Sequence, residues 1–420
     1  MDPARLAVRM EEGNLMTAPL AGVSVLEVAI YAFGPSAAAI LGDWGADVVK
    51  IEHPVGGDPG RNTAAWGVPE TVNGVSHLWE VTNRGKRALA VDISTGDGHE
   101  ILMSLVDECD VFITNFLPPA RRKLGIEPDD ILARNPRVVY GRASAQGPRG
   151  QLSERGGFDG ISYWGRSGAA IGVTPPEHAA PLSMPGPGFG DLQSGMALAG
   201  GIGTALYHRE RTGRGVVVDA SLLASGLWAM GMTISGTSVL DTDTLPHQYH
   251  DQSPNPLTNY YRTKDDRFIS LGFLQSDRYW PEFCVLVDKL DWLADERFTD
   301  SSARQRHASA CIGLLDELFA DRTLDDWKEL LSRQEGQWDV LLPAGQSRYD
   351  EQALANGYVQ RIDHDDDGKV VLVPAPVQFD GVAPTLGRAP AFGADTDAVL
   401  DGLGYEPARV ADLRSRGVIR

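Results

Sequence analysis

Asp191 is the residue of this sequence whose setting best suits covalent chemistry. It follows a stretch rich in glycine and proline, 185–190, and small and apolar residues recur at helical spacing after it. The spacing predicts that Asp191 lies at, or next to, the N-cap of a helix, where N–H groups and the helix dipole keep a carboxylate ionised. An aspartate at such a position most often only caps its helix. Gly188 and Gly190 leave room beside this one, so a chemical role for Asp191 is a hypothesis for the fold to test.

Two short basic clusters are the second feature that suggests a ligand. One cluster, residues 84–87, precedes a predicted strand, and the other, residues 121–123, follows the next predicted strand along the chain. Ligands of open α/β sheets bind in crevices at strand ends, so these clusters indicate a site for the phosphate groups of a small molecule. A solvated charged surface is the alternative interpretation.

The composition bounds the class of protein. A chain of 420 residues with 42% hydrophobic and 23% charged residues is typical of a globular protein with two domains. The formal net charge of −19 argues against binding to nucleic acid or to an anionic membrane. Cys109, Cys284 and Cys311 lie far apart, which favours reduced thiols in a cytoplasmic protein without a structural metal. No apolar run is long enough to span a bilayer, and residues 1–17 are expected to be a disordered leader.

Alternating strands and helices must position these side chains. Buried strands are predicted at 23–29, 46–52, 87–93, 111–116, 137–141 and 215–220, with helices between them. This alternation predicts an α/β fold built on a doubly wound parallel sheet. The turn after the first strand lacks the G-x-G-x-x-G pattern, and the chain has no P-loop motif, so a nicotinamide, flavin or P-loop enzyme is disfavoured.

The pattern changes after a polar segment at about 241–255. A hairpin is predicted at 259–272, followed by amphipathic helices at 278–290, 304–319 and 324–333, which together indicate a smaller α+β domain. A second hairpin is predicted to turn at 365–368, and two short helices follow at 395–403 and 407–416.

Taken in order, several short motifs resemble those of the class III CoA-transferases, the CaiB/BaiF family. The resemblance spans nearly the whole chain from Ala18. It is carried by PLAGVSVLE at 19, GADVVKIE at 45, NRGKR at 83, NF at 115, NPRVVY at 135, GFD at 157, GDLQSG at 190, TGRG at 212 and APAFGADTDAVL at 389.

The resemblance implies an architecture. Residues 18–230 and 350–420 would form a Rossmann-like large domain that binds CoA, and residues 231–349 a linker and a small domain. Two chains would interlock as a homodimer, with each active site between the large domain of one chain and the small domain of the other.

The resemblance also implies an activity. Asp191 would be the nucleophile that moves CoA from an acyl-CoA to a carboxylic acid, through an aspartyl anhydride and an aspartyl thioester. Coenzyme A would be a substrate, with no permanently bound cofactor and no metal. The residues implied to bind CoA are His53, Arg84, Lys86, Arg87, Asn115, Phe116 and Lys123. Those implied to form the substrate pocket are Ala32, Phe33, Phe158, Asp159 and Gly190.

Two alternatives to transfer stay open. An α-methylacyl-CoA racemase of this family would need an acid–base pair, but Phe158 and Gln275 stand where racemases carry a histidine and a glutamate. A non-catalytic CoA-binding protein would not be expected to retain Asp191. Formyl-CoA transferase has a substrate-binding glutamine at the position of Ala32, so the acid is expected to be larger and more apolar than oxalate or formate.

Overall fold

The computed structural model of the protein describes residues 18–62, 76–363 and 369–420. It contains two compact units: a larger one that runs to Leu245 and resumes at Glu351, and a smaller one, Pro246–Asp350. The leader expected at 1–17 and the hairpin turn expected at 365–368 lie outside the described residues.

A six-stranded parallel sheet organises the larger unit, which confirms the predicted α/β fold class. Its strands are β1 Ser24–Val28, β2 Asp47–Glu52, β3 Arg87–Ala90, β4 Val111–Thr114, β5 Val139–Ser144 and β6 Val217–Ser221. Their order in the sheet is β3-β2-β1-β4-β5-β6. The chain therefore reverses its direction of travel across the sheet between β1 and β4, the place where open α/β sheets bind ligands.

Helices cover both faces of this sheet. In the first segment they are α1 Phe33–Asp43, α2 His77–Asn83, α3 Gly96–Glu108, α4 Pro118–Leu124, α5 Pro128–Arg134, α6 Ala169–Val173, α7 Phe189–Thr212, α8 Leu222–Ala229 and α9 Gly231–Leu240. A single turn of π-helix, Gly160–Gly165, follows β5. The segment from Glu351 adds α16 Glu351–Ala355, α17 Thr396–Gly402 and α18 Pro407–Ser415, with an antiparallel hairpin of β10 Gln360–Asp363 and β11 Lys369–Leu372.

The alternation of side chains along each strand explains the two layers of core. Val111 and Ile113 of β4 pack with α1 and α7 on one face, whereas Phe112 between them packs with α3 on the other. The face with α1 and α7 is rich in alanine and glycine, which lets these two helices approach closely. A Cβ added at Gly195 of α7 would lie 2.0 Å from the hydroxyl oxygen of Ser36 in α1.

The smaller unit packs helices against an antiparallel sheet of three strands. The predicted hairpin is confirmed as β7 Thr258–Arg262 and β8 Phe268–Gly272, and β9 Trp338–Val340 adds a third strand that the sequence analysis missed. The helices are α10 Ser276–Leu286, α11 Asp291–Ala294, α12 Ser301–Arg306, α13 Ala308–Ala320, α14 Leu324–Leu331 and α15 Ala344–Ser347. The helix predicted at 304–319 is two helices that meet at His307: Asp300 caps the start of the first, and the second begins at Ala308.

Among the described residues, no single helix has both the length and the apolar character needed to cross a bilayer. The bent pair α8 and α9 meets that requirement jointly, by length and composition.

Candidate active site

Asp191 is the third residue of α7. Gly188 is the N-cap of this helix and adopts a left-handed conformation with φ of 72°, so the helix begins one residue before the glycine that precedes Asp191. The carbonyl oxygen of Asp191 accepts a hydrogen bond of 3.4 Å from the hydroxyl group of Ser36 in α1. The close packing of α1 on α7 thus fixes the backbone at the start of α7.

Asp159 holds the same turn from the opposite side. This aspartate is 8% exposed, and its carboxylate accepts hydrogen bonds from the N–H groups of Gly160, at 2.8 Å, and Gly190, at 3.2 Å. A Cβ at Gly190 would lie 2.6 Å from the ring of Tyr163 and 2.8 Å from Cβ of Asp159. Only glycine fits there, because the π-helix packs directly on the backbone that carries Asp191.

The carboxyl group of Asp191 is electrostatically exceptional. Burial and the neighbouring Asp159 raise the pKa of Asp191 to about 7. No described residue donates a hydrogen bond to this carboxylate, whereas Asp159 accepts two. Desolvation and the like charge of Asp159 therefore favour the neutral form of Asp191, against the expectation that the start of a helix keeps this carboxylate ionised.

A cavity of about 830 Å³ opens beside Asp191, at the carboxyl ends of β1, β4 and β5. Six of the residues implied by the resemblance line it together: Ala32, Phe33, Asn115, Phe116, Phe158 and Asp191. Asp159 and Gly190 do not line the cavity; they lie behind Asp191 and hold its backbone. The lining is mostly apolar near Tyr31, Phe158 and Leu222. The cavity thus suits a ligand with a long apolar portion.

Asn115 joins two of the loops that line this cavity by binding the backbone of Ile30. Its side-chain amide donates a hydrogen bond of 2.6 Å to the carbonyl group of Ile30 and accepts one of 3.0 Å from the N–H of Ile30. These two bonds join the loop after β4 to the loop after β1. Arg121 holds the same region, because it donates to the carbonyl oxygen of Phe116 at 2.7 Å.

The basic cluster at 84–87 lies elsewhere. Arg87 is the first residue of β3 and pairs with Asp47, the first residue of β2, so it lies at the amino edge of the parallel sheet, opposite the cavity. Arg84 is 5% exposed and pairs with Asp43. Neither residue lines the cavity. The sequence analysis predicted that this cluster lies at strand ends, but it did not distinguish the amino ends from the carboxyl ends. Arg84 and Arg87 lie at the amino ends, away from the cavity.

Lys86 lies in the core. Its ammonium group donates to Glu27 at 2.6 Å, to the carbonyl oxygens of Thr82 and Pro35, and to the side chain of Asn83. Its side chain has no exposed surface. Burial lowers the pKa of Lys86 to about 7, although Glu27 opposes that shift. A side chain with no exposed atom does not reach a phosphate group, which corrects the expectation for Lys86 in this structure.

His53 and Lys123 lie near one partly buried acidic residue, Asp92. The ring of His53 lies 3.7 Å from the carboxylate of Asp92. Partial burial of Asp92 favours its neutral form, but hydrogen bonds from Ser94 and the charges of His53 and Lys123 keep its pKa below the usual range. The structure therefore brings His53 and Lys123 together near the carboxyl ends of β2 and β3, although neither lines the cavity.

The sequence analysis missed Arg155, a cavity residue with a free charge. Three other arginines of the lining have acidic partners: Arg121 pairs with Glu127, Arg122 with Glu154 and Arg142 with Asp219. The guanidinium group of Arg155 is exposed, and no described acidic residue pairs with it. The signal that would have found it is the loop GPRGQLSERGG, which follows a buried strand and combines glycines with arginines.

No cluster of three or more histidine, cysteine, aspartate or glutamate side chains that would hold a metal ion occurs among the described residues. Of the three acidic residues that line the cavity, Glu127 and Glu154 pair with Arg121 and Arg122, and Asp191 is the one whose carboxylate has no described partner.

A doubly wound α/β protein with a partly buried, unpaired carboxylate at its switch-point cavity is the class that the fold and the site define. Comparison with known proteins narrows this class. The family described as CoA-transferase family III matches residues 20–396, and the chain belongs to that family of enzymes.

The chain is 30% identical over 404 residues to (R)-2-hydroxy-4-methylpentanoate CoA-transferase of Clostridioides difficile, with 96% of this chain and 99% of that protein covered. It is 27% identical over 399 residues to cinnamoyl-CoA:phenyllactate CoA-transferase of Clostridium sporogenes, with 93% and 95% covered. Its fold is similar to the crystal structure of a CaiB/BaiF family protein from Brucella suis, with a TM-score of 0.78, 26% identity, and 92% and 100% of the two chains covered.

Proposed function

We propose that this protein is an acyl-CoA:carboxylate CoA-transferase in which Asp191 carries the acyl group and then CoA. The observation that supports the proposal most directly is the carboxyl group of Asp191: it lines the cavity, and no described residue donates a hydrogen bond to it. A carboxylate without donors is a stronger nucleophile than one stabilised by hydrogen bonds, and its raised pKa increases that nucleophilicity.

The proposed reaction has four balanced steps. The carboxylate of Asp191 attacks the carbonyl carbon of the donor thioester, and CoA leaves as thiolate, which forms a mixed anhydride. The thiolate then attacks the Asp191 carbonyl carbon, which releases the donor acid and leaves an aspartyl-CoA thioester. The acceptor carboxylate attacks this thioester and expels the thiolate again. The thiolate finally attacks the acceptor carbonyl carbon, which releases the new acyl-CoA and restores Asp191.

The four steps do not require a proton to be delivered, because each leaving group is a thiolate or a carboxylate. Asp191 must only be ionised when the donor arrives, and a pKa of about 7 makes the ionised form accessible near neutral pH. Asp159 acts as a positioning residue, since it holds the Gly190 N–H group and does not line the cavity. That bond occupies the Gly190 N–H group, which is therefore not free to stabilise an oxyanion.

We propose that CoA lies along the cavity, with its thioester at Asp191 and its phosphates toward Arg155. Arg155 supplies an unpaired guanidinium group, and Phe116 and Leu117 supply an apolar wall for the pantetheine arm. His53 and Lys123 lie near the neighbouring strand ends and suit the outer phosphate of the nucleotide.

The acid is proposed to carry a branched or aromatic carbon chain. The names of two relatives contain such acids, 4-methylpentanoate with a 2-hydroxyl group and phenyllactate. The apolar side chains beside Asp191, including Tyr31, Phe158 and Ile161, suit the same kind of chain.

We also propose that the working protein is a cytoplasmic homodimer. Helices α8 and α9 expose large apolar side chains: Trp228 is 88% exposed, Met232 93% and Val239 84%. A second copy of the chain would cover this surface. Light scattering of the purified protein should give twice the mass of one chain, and an active species of single mass would contradict the proposal.

Isotope transfer tests the proposed chemistry. If the acceptor acid carries ¹⁸O in its carboxylate, the anhydride oxygen stays on Asp191 after the last step. Mass spectrometry should therefore find the peptide with Asp191 about 2 Da heavier after a single turnover. Trapping with hydroxylamine should convert the same residue to a hydroxamate when acyl-CoA alone is added.

A racemase would behave differently in the same assays. It would leave Asp191 unlabelled and would exchange the α-proton of acyl-CoA in deuterated water without a second acid. Rapid exchange together with an unlabelled Asp191 would overturn the transferase proposal.

A further inference from the structure

Tyr31 has a backbone conformation that its residue type rarely adopts. It follows β1 and has φ of 64°, in the left-handed region. The other described non-glycine residues with positive φ are all aspartates, a type that tolerates this region well. An aromatic residue there is strained, and strain of this kind persists only where the surroundings impose it.

A buried ion pair imposes the conformation of Tyr31. The carboxylate of Asp58 accepts a hydrogen bond of 3.0 Å from the Tyr31 N–H group. Asp58 is 2% exposed, and its other oxygen lies 2.8 Å from the ammonium group of Lys50, which has no exposed surface. The preceding residue, Ile30, is held on both backbone atoms by Asn115. The left-handed turn is thus fixed from both sides.

The consequence is the position of the Tyr31 ring. It meets the ring of Phe158 edge to face, with centroids 5.6 Å apart and an angle of 84° between the planes. Both rings line the cavity, and Phe158 is 55% exposed.

Both rings line the same cavity as the carboxylate of Asp191. Phe158 adjoins Asp159, which binds the N–H of Gly190, and Tyr31 lies at the entry to α1, whose Ser36 binds the carbonyl oxygen of Asp191.

We propose that Tyr31 is a specificity-determining residue that, paired with Phe158, selects acyl groups with a branched or aromatic apolar chain over short acyl groups. Two perpendicular rings form an apolar corner, and a branched chain buries more surface in it than a methyl or ethyl group does. The strained turn aims the ring at that corner. This inference rests on the proposed function, because it takes the ligand of the cavity to be an acyl-CoA.

Binding of unreactive analogues tests the inference without relying on turnover. S-isopentyl-CoA and S-ethyl-CoA are thioethers without a carbonyl group, so Asp191 has nothing to attack. Calorimetry on the full chain should find S-isopentyl-CoA bound at least about tenfold more tightly than S-ethyl-CoA. In Tyr31→Gly this ratio should fall to about twofold or less.

Glycine is the informative substitution, because it adopts the left-handed conformation freely and removes only the ring. Tyr31→Phe should keep the ratio of the wild-type protein. Asp266→Gly is the matched control: it replaces another left-handed residue, in the β7–β8 hairpin of the smaller unit, and should leave the ratio unchanged. Phe158→Ala removes the exposed partner ring and should lower the ratio as Tyr31→Gly does, which provides a second variant if Tyr31→Gly folds poorly.

Two results would overturn the inference, and they are distinguishable. If Tyr31→Gly and Phe158→Ala keep the wild-type ratio while both thioethers bind, Tyr31 does not determine specificity and the proposed transfer reaction still stands. If the wild-type protein binds neither thioether nor CoA, the proposed function fails and this inference fails with it.

Discussion

Two groups of buried charges in the larger unit differ in how completely they are paired. In the first, Glu27 binds Lys50 at 2.7 Å and Lys86 at 2.6 Å, and none of these three side chains has exposed surface. In the second, Asp159 and Asp191 bring two like charges together, and no described cation pairs with either of them.

The difference separates a structural role from a chemical one. Opposite charges that pair with one another are held in one arrangement, and they are not available to bind a ligand. A carboxylate that is partly dry and has a like charge behind it is high in free energy, and a bond to an acyl group relieves that cost.

The largest effect is expected for Asp191→Asn. An amide does not form the anhydride, so turnover should fall by at least about 10³-fold in a coupled assay of CoA transfer. The matched control is Asp130→Asn, the same change at the third residue of α5, where the aspartate takes part in a capping box. That control should keep full turnover, and equal losses in both variants would contradict a nucleophilic role for Asp191.

The same variant should gain stability. The pKa of Asp191 is raised to about 7 in the folded protein from 3.8, so the folded state holds the proton more tightly than the unfolded state. Ionising Asp191 therefore lowers the free energy of unfolding. This loss is absent below pH 4, where Asp191 is protonated in both states, and it is complete above pH 7. At pH 8, Asp191→Asn should be about 2 kcal/mol more stable in urea unfolding, and the gain should vanish near pH 4.

Breaking the paired cluster should act in the opposite direction. Glu27→Gln leaves Lys86 without a carboxylate and Lys50 with Asp58 alone. An uncompensated buried ammonium group costs about 3–5 kcal/mol, so the free energy of unfolding should fall by about this amount. A loss below about 1 kcal/mol would show that the cluster does not stabilise the fold.

A smaller effect is expected from removing the like charge. Asp159→Asn keeps an oxygen that accepts from the N–H of Gly190 but removes the negative charge beside Asp191. The pKa of Asp191 should fall, so the acid limb of the kcat/KM profile should move by about one pH unit to lower pH. If the limb stays in place, burial alone sets the pKa of Asp191.

The smallest effect concerns cations. Arg155→Ala should weaken CoA binding by about tenfold, and the loss should shrink as salt rises because the contact is to a phosphate. Arg122→Ala should cost less, since Glu154 already holds that guanidinium group. Arg87→Ala, at the opposite edge of the sheet, should leave the calorimetric affinity unchanged.

The order of apolar and helical segments was sufficient to predict the parallel sheet and the helix that starts near Asp191. It was not sufficient to predict which charged side chains lie next to one another. Lys86 looked like a ligand for phosphate because its partner Glu27 is 59 residues distant and no local pattern joins them. The raised pKa of Asp191 likewise depends on its burial and on Asp159, which is brought to the start of α7 by the packing of the π-helix on Gly190.

The backbone of Tyr31 escaped prediction for a similar reason. Its sequence neighbours contain no turn signal for a left-handed residue, and the group that imposes the conformation, Asp58, follows the next strand. Tertiary hydrogen bonds to the main chain do not affect the spacing of apolar residues in the sequence. Strained residues at a site are therefore found only in the folded protein.

The edge strand β3 has a consequence for how the protein is made. Its partners on the open side come from far along the chain: Asp395 binds Ala88 from 307 residues away, Thr396 binds Ala90, and Val91 bridges to Ile419. At about 5–20 residues per second, a ribosome needs roughly 15–60 s to add those residues after β3 has emerged. Every nascent chain therefore presents a bare β edge for that interval, during which a chaperone or a neighbouring nascent chain competes with its own C-terminal segment for the same hydrogen bonds.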